Sequence, residues 1–498
     1  MLRFGKLDKV EKQLEQAQDY QQYRQACIEY DKLANADKWK HNDRSDDYDY
    51  VLVQKRLKRI KEARIRNDVQ ELMSILHEGI HGNLGNIANP NLYQQTKSGT
   101  KVLIERFLQE LYDTLGDIYS APEEKISFYQ KLSFFEQTSH AYGQSCLMLS
   151  GGAGLGFFHC GVVRALLEAD LLPNVISGAS AGSIITAMIG TRDDNELKQL
   201  LNPQSIHRYF KDWGTWKGFG NSSLLDSTNI ENSLIELFDL TTFEQAFEQT
   251  DREINITVSP ADLHQDARML NNKTSPNAII TQAVRASCAI PYLFEPIQLK
   301  ALDSKGEVVP YVPNRKFADG SIMADLPFNR LSRLYSVNHS IVSQTNPLAV
   351  PFLSRSRQKT SGIVGLTSRH LASLVKQSSI YACDIFEDMV PTQTGKLGIS
   401  KVKSIIEQQY VGDINILPPR SFANMQHILK NPTVESIGTL IRQAEKATWP
   451  QLEMIDNTTR ISRAFQRYVK CLQQKEIRLL QNDEVAPACN GHATDNGK

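Results

Sequence analysis

From its start to about position 140 the chain carries apolar side chains three to five positions apart within otherwise polar segments, as at Leu52, Leu57, Ile60, Ile65, Val69, Leu72 and Ile75. That spacing lines up one apolar stripe on a helical cylinder, so residues 1–140 are expected to form a helical module. A Gly-, Asn- and Pro-rich stretch, LHEGIHGNLGNIANPNLY (76–93), reads as a loop between helices. A helix resumes from Thr100 to Tyr112, and a further one follows with Pro122 near its start, where a helix tolerates proline. The aromatic residues Phe128, Tyr129, Phe134 and Phe135 on that last helix are expected in the core.

The period changes at QSCLMLSGGAGLGFFHCGVVRALLEADLLP (144–173): a short apolar strand, a glycine cluster, then a helix from near Phe158 with Val162, Val163, Leu166 and Leu167 on its inner side. NVISGASAGSIITAMIG (174–190) repeats strand, tight turn and helix. Two such units in succession predict an α/β fold with a mostly parallel sheet covered by helices and its functional turns at the carboxyl ends of the strands. Strands within 252–263 and 317–327 extend that core, and YVGDINILPP (410–419) reads as an added strand in an otherwise polar, helix-like region. The expected division is a helical extension at 1–140, a catalytic domain at 141–345, a mostly helical region at 346–483 and a disordered tail at 484–498.

Composition narrows the function classes. Of the 498 residues 41% are hydrophobic, and Lys+Arg and Asp+Glu both number 56, so no net field recruits nucleic acid. The seven cysteines, Cys27, Cys146, Cys160, Cys288, Cys383, Cys471 and Cys489, are scattered without C-x-x-C spacing and read as reduced thiols. His77 and His81 stand four apart but lack a third ligand or an H-E-x-x-H pattern, which argues against a metal. The first residues lack the apolar run of a secretory signal, and no window reaches the roughly 18 to 20 apolar residues of a membrane span. An intracellular, cytoplasmic protein with peripheral membrane association is the resulting expectation.

GGAGLG (Gly151–Gly156) suggests a phosphate cradle, but Phe157 and Phe158 stand where a P-loop needs Lys and Ser/Thr, and Phe157 breaks G-x-G-x-x-G. A glycine turn opening a helix, with its N–H groups converging on one spot, remains suited to an oxyanion. In NVISGASAGSII, Ser180 sits in G-x-S-x-G between Gly178, Ala179, Ala181 and Gly182, either as an exposed nucleophile on a strained bend or in a plain Gly/Ser loop. A serine needs a base. The later histidines, His207, His264, His339, His370, His427 and His492, occupy no small-residue loop after an evident strand, whereas Asp319 in KFADGSIMADLP precedes Gly320 in a tight turn; D-G by itself also fits a hairpin.

The order of these three features resembles the patatin-like phospholipases and lipases, known for a Gly-rich oxyanion turn, a G-x-S-x-G elbow and an Asp-Gly-Gly/Ala motif that form a Ser–Asp dyad without histidine. Ser321 replaces the family's last small residue, and ASCAIPYLFEP (286–296) is similar to the family's segment ahead of the aspartate turn. HGNLGNIANPNLY with SGTKVLIERFLQELYD, and YVGDINILP, resemble the extensions of storage-lipid triacylglycerol lipases. The resemblance implies a three-layer α/β/α core, Ser180 as nucleophile, Asp319 as base, and an oxyanion hole from the amides of Gly151, Gly152, Ala153, Gly154 and Ala181. It implies no cofactor and no metal, and a glycerolipid substrate at a membrane or lipid-droplet surface. Leu155, where many phospholipases carry Arg or Lys, favours a neutral triacylglycerol through an apolar contact. Phospholipase A, lysophospholipase or acyltransferase activity, or an inactive lipid-binding scaffold, are the alternatives.

Overall fold

The computed structural model describes residues 2–212, 215–216, 225–226, 228–261, 265–290, 294–321, 325–346, 411–419 and 431–481. These fall into two compact units: residues 1–145, 335–339 and the chain from 452 onward, and residues 146–334 with 340–451. The histidines His264, His370, His427 and His492, the cysteines Cys383 and Cys489, and the tail from 484 lie outside the described residues.

The first unit is helical. Its main helices are α1 (Leu2–Gln16), α2 (Tyr20–Ala34), α3 (Tyr50–Ile65), α4 (Val69–Gly79), α5 (Val102–Ser120) and α6 (Phe128–Tyr142). The periodic residues Leu57, Ile60, Val69, Leu72 and Ile75 are buried, as a three-to-four spacing requires, but Ile65 is 85% exposed because it ends α3. Helix α5 runs eight residues past the expected end at Tyr112, since Leu115 and Ile118 keep the same apolar face. Pro122 does not open the next helix; Ser127 caps α6 through a box with Gln130, satisfying amide protons that proline would leave open. Phe128, Phe134 and Phe135 are buried, while Tyr129 turns outward at 62% exposure.

The long helix Leu452–Leu480 belongs to this unit: its Ile461, Ala464, Phe465 and Leu472 join the N-terminal helices' core, and Tyr468 stacks on Tyr119 at 4.7 Å between ring centres. His77 Nδ1 is hydrogen-bonded to Thr138 Oγ1 at 3.0 Å, and no cluster of three metal-ligating side chains occurs among the described residues. Cys27 is a free buried thiol, whereas Cys471 is disulfide-bonded, a correction to the reading of every cysteine as a thiol; scattered spacing carries no pairing information.

The second unit is built on a seven-stranded sheet. Its strands are β1 (Gln144–Leu149), β2 (Val175–Gly178), β3 (Glu253–Pro260), β4 (Arg268–Leu270), β5 (Phe317–Asp319), β6 (Val337–Ser343) and β7 (Ile414–Ile416). The order is β7-β6-β1-β2-β3-β4, with β5 also paired to β3. β1 with β2, β2 with β3 and β6 with β7 are parallel, while β4 and β5 run antiparallel to β3. Buried Leu147, Ile176 and Ile256 on one face and Cys146, Met148 and Val175 on the other make the strands apolar on both faces, as helix-covered parallel strands must be. Helices α7 (Phe158–Glu168), α8 (Ala181–Gly190), α9 (Ile280–Ser287) and α10 (Phe328–Tyr335) follow strands or turns of this sheet. Helix Val434–Thr448 packs on α7, so this part of the C-terminal region belongs to the sheet unit. No helix among the described residues is long and apolar enough to cross a membrane.

Candidate active site

Strand β2 ends at Gly178 and α8 begins at Ala181; Ser180 between them adopts φ 50°, ψ −125°. Such a conformation costs a non-glycine residue about 1–3 kcal/mol and persists only where surrounding bonds hold it. Here they do. Ser180 N–H donates to Ser287 Oγ at 2.9 Å, and the Ser287 hydroxyl donates to the Thr257 carbonyl at 2.7 Å. The Ser180 carbonyl accepts from Ser183 N–H at 2.8 Å, from the Ser183 hydroxyl at 2.6 Å and from the Cys288 thiol at 3.4 Å. The motif's glycines serve a different end from the one its spacing suggests: neither has a positive φ, so the backbone strain resides on Ser180 itself. A side chain at Gly182 would collide with the Leu149 carbonyl, and one at Gly178 with Gly182, so glycine there lets α8 close onto β1 and β2.

Asp319 ends β5, its Cα in register with Val258 of β3, and is 2% exposed. Its N–H donates to the Ala289 carbonyl at 3.0 Å. The carboxylate accepts from Ser321 N–H at 2.8 Å and from the Ser321 hydroxyl at 2.7 Å, both on Oδ1, and the Ser180 side chain also favours its charged form. Burial pushes its pKa up to about 6, against the lowering effect of those three groups. Ser321, the departure from the family's motif, thus supplies two of the bonds that keep this buried carboxylate ionisable.

The glycine turn leads from β1 through Gly151 and Gly152 into a 3-10 turn, Ala153–Phe157, and on into α7. A Cβ placed on Gly151 would lie 2.8 Å from Ser321 Cβ and 3.2 Å from Ser180 Cβ, so the turn rests against both motifs. The Gly151 N–H is not open to a ligand: it donates to Asp325 Oδ1 at 2.7 Å, which corrects its place among the oxyanion donors. The amides of Gly152, Ala153 and Gly154 head a helical turn, where N–H groups have no intrahelical acceptor, and Ala181 begins α8 beside Ser180. An apolar cleft opens next to Ser180, lined by Phe157, Ile184, Ile185, Phe210, Ile230 and Phe294 together with Ala153, Gly154 and Ala181. Leu155 is buried and does not line this cleft, so the expected apolar contact comes from Phe157 and its neighbours instead.

Two family profiles match the sequence: one described as a domain of unknown function, DUF3336, over residues 1–140, and one described as patatin-like phospholipase over residues 147–331. Triacylglycerol lipase 4 of Saccharomyces cerevisiae is 35% identical over 480 residues, which cover 91% of this chain and 52% of that protein. Triacylglycerol lipase ptl2 of Schizosaccharomyces pombe is 33% identical over 476 residues, covering 91% and 74%. The chain belongs to the patatin-like phospholipase family. Triacylglycerol lipase SDP1L of Arabidopsis thaliana is 33% identical over 465 residues, 89% of this chain and 57% of that protein. The chain thus spans 52% of the first of these relatives' length and 57% of the last.

The patatin-like unit is an α/β/α core with a mostly parallel sheet, and it brings Ser180, Asp319 and the glycine turn together at the carboxyl ends of β1 and β2. Among the described residues no histidine is a partner of either side chain in this patatin-like site. His159, which precedes Ser180 in the chain, donates and accepts within the framework: Nδ1 with Ser343 Oγ at 2.7 Å and Nε2 with the Ser150 carbonyl at 2.9 Å. Burial lowers its pKa to about 4, so it stays neutral and ties the ends of β1 and β6 together.

Asp325 was not legible in the sequence. It is 1% exposed, holds the Gly151 amide through Oδ1 and accepts from Asn346 Nδ2 at 3.1 Å through Oδ2. Burial pushes its pKa up to about 7, aided by the neighbouring Asp319 charge and opposed by the Gly151 and Asn346 donors. The only hint was a second aspartate shortly after the first, in ADLP, and no spacing rule ties such a residue to a glycine turn.

Proposed function

We propose that this chain is a serine acyl-ester hydrolase acting on glycerolipids, with triacylglycerol as the best-supported substrate, and that Ser180 and Asp319 perform the chemistry. The observation that carries the reading is the placement of Ser180, which lines an apolar cleft, beside the buried Asp319 carboxylate, whose charged form the Ser180 side chain favours. Asp319 takes the Ser180 proton as Ser180 Oγ attacks the ester carbonyl, and the amides of Gly152, Ala153, Gly154 and Ala181 receive the negative charge on the carbonyl oxygen. Collapse of this adduct expels the glyceride alkoxide, which takes the proton back from Asp319; water then attacks the acyl-serine by the same route and releases the fatty acid. Each remaining donor of this kind is worth about 3 kcal/mol of transition-state stabilisation.

The names of the yeast and plant relatives support triacylglycerol; the description of the matched profile favours phospholipid as a second reading. Fatty-acid release from triacylglycerol emulsions, phosphatidylcholine and lysophospholipid by the purified chain separates them. Preferential release from triacylglycerol supports the proposal, preferential release from phospholipid transfers it to the second reading, and no release from any of them refutes both. Access to an emulsified substrate implies peripheral association with a lipid surface, and the intracellular placement and the 141–345 catalytic domain belong to the same proposal.

Because Asp319 acts as base only when ionised, kcat/KM is expected to rise with pH through about 6, and a profile flat between pH 5 and 7.5 would contradict this role. Stability moves the opposite way. Asp319 and Asp325 both bind protons more tightly in the folded chain than at their ordinary value of 3.8, so the native state holds the extra protons between pH 4 and 7 and loses stability as pH rises across that window.

Asp325 serves as a positioning residue for the glycine turn. Asp325→Ala is expected to lower kcat about 10- to 100-fold, the worth of a hydrogen bond to a charged group, with KM changed less than twofold. Asp325→Asn keeps an acceptor for the Gly151 amide and should recover part of the loss; steady-state kinetics on a soluble ester read both.

A further inference from the structure

Away from the Ser180 cleft, a depression of about 420 Å3 in the sheet unit is lined by Arg268, Arg330 and Arg333 with the hydroxyls of Thr274, Ser275 and Tyr311. Its volume is within the roughly 300–1,000 Å3 of small-molecule sites. No Asp or Glu is among its described lining residues, and among the described residues none of the three arginines pairs with a carboxylate. Arg330 donates to the Ala267 carbonyl, and the Arg268 guanidinium lies 5.9 Å from the centre of the Phe317 ring. Ser275 Oγ and Tyr311 Oη meet at 2.8 Å, a contact that uses one of their two protons and leaves the other to give. Three uncompensated guanidinium groups around hydroxyl donors match the oxygens of a phosphate.

The place and the rim narrow the guest. Arg268 of β4 and Asp319 of β5 are both in register with Val258 of β3, on its two opposite sides, which sets them two strand spacings, about 10 Å, apart. Leu334, 37% exposed, follows Arg333 on α10 and lines the same depression with Met269 and Leu270. An apolar contact beside the charges has no use for a free ion but suits an amphiphile. The chain's formal net charge is +0, so attraction to a negative surface has to be local. We propose that this depression binds the phosphate headgroup of an anionic phospholipid and holds the sheet unit on a negatively charged lipid surface. This goes beyond the proposed hydrolysis, and it is read by binding rather than turnover.

The test is flotation of the full chain with vesicles of phosphatidylcholine alone or with phosphatidic acid at 0.1 M salt. The wild type should partition preferentially to the anionic vesicles. Arg333→Gln should weaken that binding about fivefold and the pair Arg268→Gln with Arg333→Gln about thirtyfold, at about 1 kcal/mol per basic residue. Exposed Arg106→Gln should leave it unchanged, and all variants should keep their melting temperature and their hydrolysis of a soluble short-chain ester. Equal binding to both vesicle types, or variants that bind like the wild type, would overturn the proposal. So would inorganic phosphate raising the melting temperature through these arginines while vesicle binding shows no anionic preference, which would make it a free-phosphate site.

Discussion

Ser180→Ala is expected to lower kcat for ester hydrolysis on the order of 10^4- to 10^6-fold, the range for loss of a serine nucleophile, while leaving the fold intact. The backbone bonds that hold the elbow are made by the Ser180 N–H and carbonyl, through Ser287 and Ser183, and alanine keeps both. Alanine also has the same Cβ, so the strained φ of 50° costs it no more than it costs serine. What disappears is the hydroxyl and its stabilising effect on the Asp319 carboxylate. Fatty-acid release, covalent labelling by a fluorophosphonate and a melting curve measured together check this. An alanine variant that retains a tenth of the activity would place the nucleophile elsewhere.

Asp319→Asn should cost about 10^4-fold in kcat, comparable to the loss when a catalytic carboxylate becomes an amide in serine hydrolases. The amide matches the carboxylate in shape, and its oxygen still accepts from the Ser321 N–H and hydroxyl, so the β5 turn is retained. It cannot accept the Ser180 proton. The thermal effect has a sign of its own. Burial disfavours the charged carboxylate, so at pH 8, where wild-type Asp319 is ionised, the asparagine variant should melt higher than the wild type; near pH 4.5, where the folded wild type holds the proton, the difference should shrink. An inactive variant that also melts lower at pH 8 would mean that Asp319 had been holding the turn together rather than serving as a base.

The sequence carries the local architecture. Helical period in 1–140, the two strand–turn–helix units, and the three motifs around Gly151, Ser180 and Asp319 each depend on residues within a few positions of one another. Even there, pattern misjudged details whose causes are local but steric: Ile65 is exposed because its helix ends at that residue, and Ser127 rather than Pro122 opens α6 because its side chain caps the amides.

Other features came from segments remote in the chain. Helix Leu452–Leu480 buries Phe465 and Leu472 among the N-terminal helices, a partnership that its own amphipathic pattern announces without naming. The Gly151 amide, which the glycine motif offers to an oxyanion, is taken by Asp325, and Ser287 fixes the Ser180 backbone from α9. An amphipathic stripe or a glycine turn states what a segment needs, an apolar cover or a close neighbour, because those needs arise from side chains a few residues apart. Which carboxylate, amide or helix face meets the need depends on strand order and register, as when antiparallel pairing of Val258 with Asp319 carries the aspartate to Ser180, and only the assembled sheet decides that.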